Sequence, residues 1–404
     1  MDPRPAQWTA TDLNERLERG ADFFLLDVRN RDEFEAGRIE GRRELPARNV
    51  PYFEMLESGG GPDLVDSVMH YVRAELAADL RRDRPILAVC AKGDTSQHVA
   101  LALARLGYDV TNLAGGMAAW GDYYTVRPVT ESDDLAIWQI ARPARGCLSY
   151  VVSSGGRGLV VDPARHVQQY LDLAQDAGIQ IDHVVDTHGH ADHISGGPAL
   201  AEELGVPYWL HPYDGIHPLD VLPARVSYRC LGEGTELAVG SETVRVYWVP
   251  GHTLGNCALL VGDRWLLSGD SIFVRSIARP DLGGRAEAWT PLHFDSLGRL
   301  LALPDETVVL PGHFSSRDEA DARGIFAAPL GTLRDANEGL RVVREGRERF
   351  VEYILGSLPT FPPEYVEIKR ANAGLIRPDE DRARELETGK NLCALAQAHD
   401  AVKR

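Results

Sequence analysis

The chain has no uncharged apolar run approaching the ~18–20 residues of a membrane helix. Its start, MDPRPAQWTATDL, has no basic segment followed by an apolar core, so no secretory leader is expected either. Positive charge is scarce: 43 lysines and arginines stand against 60 aspartates and glutamates, for a formal charge of −17. That balance opposes a nucleic-acid binder, which needs a basic face to neutralise phosphates. It also opposes docking on anionic membranes, and fits a soluble, self-repelling surface. Five cysteines in 404 residues, Cys90, Cys147, Cys230, Cys257 and Cys393, are odd in number and widely spaced. They make no disulfide framework, so a cytoplasmic location is expected. No internal repeat or low-complexity tract occurs, and no glycine turn carries the Lys-Ser/Thr of a phosphate loop. What remains is an ordinary soluble composition, 44% hydrophobic and 25% charged. The length allows two or three domains, each with a sizeable core.

The chemistry concentrates in THGHADH (187–193), which follows the apolar run IDHVVD (181–186). It brings His188, His190, Asp192 and His193 to the tip of a strand. Further turns at strand-like ends supply His252 in GHTLGN, Asp270 in LLSGD and His313 in VVLPGH. Histidines and carboxylates gathered this way hold a divalent transition metal through nitrogen and oxygen. The alternate residues His188 and His190 can meet one ion, while Asp192 and His193 turn toward an adjacent position. A chance surface histidine explains any one of these, but not the ordered set.

Residues 1–126 read as alternating strand and helix. FFLLDV (23–28), PILAVC (85–90) and DVTNL (109–113) are strand candidates, and SQHVALALARLGY (96–108) is a helix. Short connections between them imply parallel pairing and right-handed crossovers. The amphipathic segment 66–83 covers the core. Periodicity lapses around 122–136, where proline and charge appear, and 127–136 reads as a linker. CLSYVVSSGGRGLVVDPA (147–164) reads as a hairpin, and HVQQYLDLAQDAG (166–178) as a helix ending at glycine. The segment 346–404 contains helices broken by LPTFPP (358–363), expected to serve domain packing.

The ordered set THGHADH, GHT, SGD, PGH resembles the metallo-β-lactamase superfamily, over roughly 137–345. The run GDSIFVRSIARPDLGG (269–284) is similar to the persulfide dioxygenase branch, the ethylmalonic-encephalopathy-protein-like enzymes, in which an Arg-Pro-Asp-Leu turn follows the metal aspartate. LLDVRNRDEFEAGRIEG (25–41), CAKGDTS (90–96) and LAGGMAAW (113–120) resemble the rhodanese family. The resemblances imply a rhodanese-like parallel α/β domain (1–126) and an αββα metallo-β-lactamase sandwich (137–345), followed by a helical tail (346–404). EIKRANAG and NLCAL in that tail resemble the C-terminal tails of similar fusion proteins.

The resemblance to persulfide dioxygenases implies one Fe(II) per chain on His188, His252 and Asp270, with three adjacent positions open for persulfide and oxygen. His190, Asp192, His193 and His313 would then orient those ligands from behind. In the alternative, resembling glyoxalase II, two Zn(II) ions share the same residues. His188, His190 and His252 hold one, Asp192, His193 and His313 the other, Asp270 bridges, and a thioester is hydrolysed. Against that alternative, no C-terminal domain of the glyoxalase II kind is recognisable. A non-turnover sulfur-relay module is a third reading.

Arg279 and Asp281, nine and eleven residues beyond Asp270, are expected to position the loop and the substrate thiol. An ordinary surface ion pair there would contribute ~0–1 kcal/mol. Cys90 is the implied sulfur carrier, in a loop whose backbone N–H groups and following helix favour a thiolate or persulfide. Thr95 stands where many rhodaneses carry an arginine, which weakens the case for strong thiosulfate binding; a buried, inert Cys90 is the alternative. Cys257 reads as core, His211 as structural, and Tyr150 and Tyr213 are left unassigned. Expected partners are glutathione persulfide or a similar persulfide, molecular oxygen, and sulfite or thiosulfate, with no nucleic acid and no membrane. The thiol carrier, the direction of sulfur flow and the oligomeric state, a homodimer included, stay open.

Overall fold

The computed structural model describes residues 4–57, 63–132, 134–358 and 360–395, and the chain divides into two compact units. The first comprises Met1–Tyr123 with the short segments Pro143–Arg145 and Thr388–Lys390. Its five strands pair in parallel in the order Ala6–Trp8, Val110–Leu113, Ile86–Val89, Phe24–Asp27, Ala47–Asn49. Successive side chains point to opposite faces of a strand, and two separate apolar layers result. Leu25, Leu87 and Leu113 pack with Leu13, Leu17 and Trp120 on one side. Leu26, Ala88 and Val110 pack with Val68, Val99 and Leu103 on the other. Within the expected segment 66–83 the helix Leu64–Tyr71, capped by Asp63, runs on into a wider turn at Val72–Leu76. It buries Val68, Val72 and Leu76 as core cover.

The second unit holds two mixed sheets. One runs Arg229–Cys230, Tyr208–Leu210, Gln180–Val185, Arg157–Val161, Cys147–Ser154, Ala136–Arg142, Thr125–Glu131. The other runs Glu236–Val239, Glu242–Trp248, Cys257–Val261, Trp265–Gly269, Val308–Pro311, Ala328–Pro329. Their facing sides share one core, in which Tyr150, Val152, Leu159 and Val161 meet Val244, Val246, Leu259 and Leu267. The alternate residues of the same strands, Val151 and Val160 in one sheet and Leu260 and Leu266 in the other, face helices on the outside. The order of layers is therefore helix, sheet, sheet, helix. The expected hairpin is present, joining Cys147–Ser154 to Arg157–Val161.

Two expectations need correction. The stretch 127–136 is not a linker, because Thr125–Glu131 is a strand at the sheet edge, paired antiparallel with Ala136–Arg142. Its proline misleads: Pro128 sits on an edge strand beside a register irregularity, where a missing N–H is tolerated. The segment after 346 also does more than pack. Its helices Glu364–Asn372 and Glu380–Leu386 belong to the second unit, and side chains from this region bond the metal motif itself. Part of the expected tail, residues 396–404, lies outside the described residues. No helix among the described residues is long and apolar enough to cross a membrane.

Candidate metal centre

Each motif residue follows the end of a strand. His188, His190, Asp192 and His193 follow Gln180–Val185, His252 follows Glu242–Trp248, Asp270 follows Trp265–Gly269, and His313 follows Val308–Pro311. Strand ends leave their backbone groups and side chains free to converge, whereas strand interiors are committed to the two layers.

His188, His252 and Asp270 are fully buried and converge. The Nε2 atoms of His188 and His252 lie 3.8 and 3.2 Å from Asp270 Oδ2. Each side chain is anchored through its other polar atom. His188 Nδ1 meets Thr187 Oγ1 at 2.9 Å, and His252 Nδ1 donates to the Arg279 carbonyl at 2.7 Å. Asp270 Oδ1 takes His313 Nδ1 at 2.7 Å. The three atoms facing inward, His188 Nε2, His252 Nε2 and Asp270 Oδ2, have no hydrogen-bond partner. Buried polar groups are almost always satisfied, so three unsatisfied donor atoms on two imidazoles and one carboxylate fit a divalent metal. Burial holds His188 well below the usual imidazole range and also lowers His252, keeping both neutral as ligands must be.

A second cluster lies beside the first, made of Asp192, His193, His313 and Cys147. His313 has both nitrogens engaged, Nδ1 on Asp270 and Nε2 on Asp192 Oδ2 at 2.9 Å. Burial opposes its charge, but Asp192 and Asp270 outweigh that and raise His313 well above its ordinary value. Asp192 also meets His193 Nδ1 at 3.1 Å and Cys147 Sγ at 3.2 Å. Burial would push Asp192 up, yet His313 and His193 hold it well below the usual range.

His190 departs from the expected two-metal grouping. Its Nε2 lies 3.2 Å from Asp162 Oδ1 and 3.7 Å from Asp186 Oδ1, so it groups with these carboxylates. Its ring stays 4.3 Å from that of His188, and neither nitrogen has a hydrogen-bond partner. Burial and His193 oppose its charge, but Asp162 and Asp186 lift it to about 9.

Arg279 is fully buried, which removes the surface-pair reading. Its guanidinium grips Asp281 through two bonds of 2.6 Å and reaches the carbonyls of Thr360 and Leu392. Tyr150 is buried and donates to the Pro311 carbonyl, whereas Tyr213 is exposed. His211 stacks on Trp248, and Cys257 is core.

Sequence reasoning missed several participants. Asn372 Nδ2 donates to the carbonyls of His190 and His193, and its Oδ1 accepts from Ser195 N. Glu387 accepts from Ile194 N at 2.7 Å, Arg142 at 2.7 Å and Arg165 at 2.8 Å. Burial opposes its charge, but Arg142 and then Arg165 hold Glu387 at about 2. Cys147, read only as the start of a hairpin, and Cys393, which groups with Asp270 and His313, also border the centre. Asn372 and Cys393 lie inside EIKRANAG and NLCAL, the tail pieces whose resemblance was the one available signal.

In the first unit, Cys90 follows Ile86–Val89 and precedes the helix Asp94–Arg105. Gly93 N donates to its Sγ at 3.1 Å, and Ser96 Oγ lies 3.2 Å from it. Ser96 is in turn 2.7 Å from Asn112 Oδ1, on the neighbouring strand. Thr95 is partly exposed on the first turn of the helix.

The sequence of residues 142–313 matches the family model of the metallo-beta-lactamase superfamily, and 9–123 matches that of the rhodanese-like domain. An uncharacterized protein of Mycobacterium leprae is 33% identical over 192 residues, 42% of this chain and 87% of its own length. A hydroxyacylglutathione hydrolase of Acidiphilium cryptum is 35% identical over 167 residues, 41% of this chain; the match spans 63% of the hydrolase. The crystal structure of a metallo-beta-lactamase from Staphylococcus aureus shares the fold, with a TM-score of 0.52 and 24% identity over 59% of this chain and 72% of that one. The chain belongs to the metallo-beta-lactamase superfamily, with a rhodanese-like domain preceding its metallo-beta-lactamase domain.

Proposed function

We propose that the second unit is a non-haem iron dioxygenase that oxidises a low-molecular-weight persulfide, glutathione persulfide foremost, to sulfite. The rhodanese-like unit, in this reading, moves sulfane sulfur through Cys90. The observation that carries it is the asymmetry of the centre. Three ligand atoms without partners converge from His188, His252 and Asp270 into one group of two histidines and a carboxylate, whereas His313 has both nitrogens bonded to carboxylates. The His190 nitrogens and His193 Nε2 also lack hydrogen-bond partners but group elsewhere. A set of two histidines and one carboxylate suits one Fe(II), which when bound supplies adjacent open positions for persulfide and oxygen. The overall change balances as persulfide, oxygen and water giving thiol, sulfite and two protons.

The residues of the chain prepare that site. The Arg279 carbonyl takes the Nδ1 proton of His252, which fixes the tautomer and leaves Nε2 free. His313, bonded between Asp192 and Asp270, occupies Oδ1 of Asp270 and leaves Oδ2 facing inward. Complete burial of His188, His252 and Asp270 keeps bulk water from competing for the same positions. Two domains on one chain raise the effective concentration of sulfite or persulfide passed between their chemistries.

The hydroxyacylglutathione hydrolase relative favours a second reading, a thioester hydrolase with two zinc ions on the same seven residues. The grouping of Asp192, His193 and His313 within reach of one ion supports a second metal position, whereas His190 groups with Asp162 and Asp186. Metal content of protein purified without added metal, together with oxygen uptake on glutathione persulfide, tests the choice. About one iron per chain with oxygen uptake supports the dioxygenase. About two zincs per chain with hydrolysis of lactoylglutathione rejects it.

A further inference from the structure

Asp214 belongs to no motif and lies in the loop after the strand Tyr208–Leu210. Its carboxylate nonetheless joins the two loops that carry the histidine ligands. Oδ2 accepts from Gly189 N at 2.7 Å and from Thr253 Oγ1 at 2.6 Å, and Oδ1 accepts from Gly255 N at 3.0 Å. Gly189 separates His188 from His190, and Thr253 follows His252. Lys369 holds the same glycine by its other polar group, donating from Nζ to the Gly189 carbonyl at 2.7 Å.

The two glycines are explained by this carboxylate. A Cβ at position 255 would come 2.6 Å from Asp214 Cγ, and one at 189 would come 3.3 Å from Asp214 Cβ. The first distance is a clash and the second a tight contact, so both loops approach Asp214 as closely as they do because neither carries a side chain there. Fixing both the N–H and the C=O of Gly189 constrains the backbone on which His188 is mounted. Fixing Thr253 and Gly255 does the same beside His252.

We propose that Asp214, with Lys369 on the same glycine, is a positioning clamp that sets the spacing of His188 and His252 and thereby the affinity of the centre for a divalent cation. The clamp acts through the ligands and touches no reacting atom. It rests on the centre binding a divalent metal and not on which reaction that metal serves. Groups that orient ligands from behind typically change metal affinity by about 10–100-fold when altered. A carboxylate bonded three times to the two ligand loops belongs in that range.

The test uses the full chain freed of metal, with Co(II) as the probe. Affinity is measured by chelator competition, coordination by the visible absorption of bound Co(II), and folding of the metal-free protein by circular dichroism and its melting. Asp214→Asn keeps the shape but replaces one accepting oxygen with a donor. Its Co(II) affinity should fall by about 10–100-fold, with an altered absorption band. Thr253→Val, which removes only one hydroxyl donor, should lose less in the same direction, and Thr253→Ser should restore the parent value. Gly255→Ala should resemble Asp214→Asn although the carboxylate is intact. If Asp214→Asn does not fold, the Thr253 and Gly255 variants decide by the same readouts. Variants that lower the melting temperature of the metal-free protein yet bind Co(II) with the parent affinity and spectrum would overturn the clamp. A parent protein that binds no Co(II) would overturn the metal reading itself and the clamp with it.

Discussion

His252 and Arg279 meet through one bond that links the metal centre to a buried ion pair. The imidazole Nδ1 donates to the arginine's own backbone carbonyl at 2.7 Å, while the guanidinium is forked onto Asp281. The side chain of Arg279 therefore holds the turn, and the turn holds the histidine.

Arg279→Gln should show this in two measurements. It leaves the largely buried Asp281 without its partner, and breaking such a pair costs about 3–5 kcal/mol in unfolding free energy. A displaced turn also moves His252, so turnover should fall by as much as ~10²-fold while the folded fraction keeps most of its metal. Arg279→Lys keeps the charge but not the fork and should recover only part of the loss. Unchanged kinetics and unchanged urea unfolding would return this turn to a passive role.

The three anchored ligands should behave differently from His313. His188→Ala, His252→Ala and Asp270→Ala each remove one of the three unsatisfied inward atoms, and each should abolish both metal retention and oxygen uptake. His313→Ala removes a residue whose nitrogens are already spent on Asp192 and Asp270, so it should retain part of the metal. Metal analysis of the purified variants decides. Complete loss of metal in His313→Ala would point to two ions.

The contrast between these residues shows what the sequence made legible. The convergence of His188, His190, Asp192, His193, His252, Asp270 and His313 was readable because short contiguous motifs at strand ends confine the candidate ligands to a few residues each. Nothing in the spacing distinguishes His190 from His188, although His188 groups with His252 and Asp270 and His190 with Asp162 and Asp186; that is a matter of side-chain rotation. Asn372 and Glu387 bond the metal loop from about 180 and 190 residues away along the chain, and an Asn or Glu on an amphipathic helix ordinarily reads as a solvated position. The edge strand Thr125–Glu131 was hidden by Pro128, because proline marks linkers far more often than it marks strands.

Glu387 gives a prediction in pH. Its carboxyl falls from an ordinary 4.5 to about 2 because Arg142 and Arg165 outweigh burial. A depressed acid stabilises the fold above its unfolded value, and that contribution is lost as pH falls toward the folded value. A shift of this size corresponds to about 3 kcal/mol. Urea unfolding between about pH 5 and pH 2 should therefore fall more steeply for the parent than for Glu387→Gln. The variant starts lower because it removes the buried carboxylate that Arg142 and Arg165 share. Parallel curves for the two proteins would show that Glu387 is not ionised against these arginines.

Cys90 carries the prediction that separates the two domains' chemistry. Its Sγ accepts the Gly93 N–H at 3.1 Å at the start of the helix Asp94–Arg105. Alkylation rate is a poor gauge here, because Cys230 is exposed while Cys90 is only 6% exposed. Transfer of sulfane sulfur is the better readout. Cys90→Ser should abolish sulfur transfer to and from thiosulfate yet leave oxygen uptake on glutathione persulfide largely intact, since the metal ligands belong to the other unit. Thr95 stands partly exposed on the first turn of that helix, where it offers an anionic donor no charge. The apparent Michaelis constant for thiosulfate should therefore be high, and Thr95→Arg should lower it by placing a guanidinium beside the sulfur. If Cys90→Ser leaves every sulfur-transfer rate unchanged, the rhodanese-like domain serves docking or structure, and the coupling of the two activities fails while the metal centre's own reaction stands or falls on oxygen uptake.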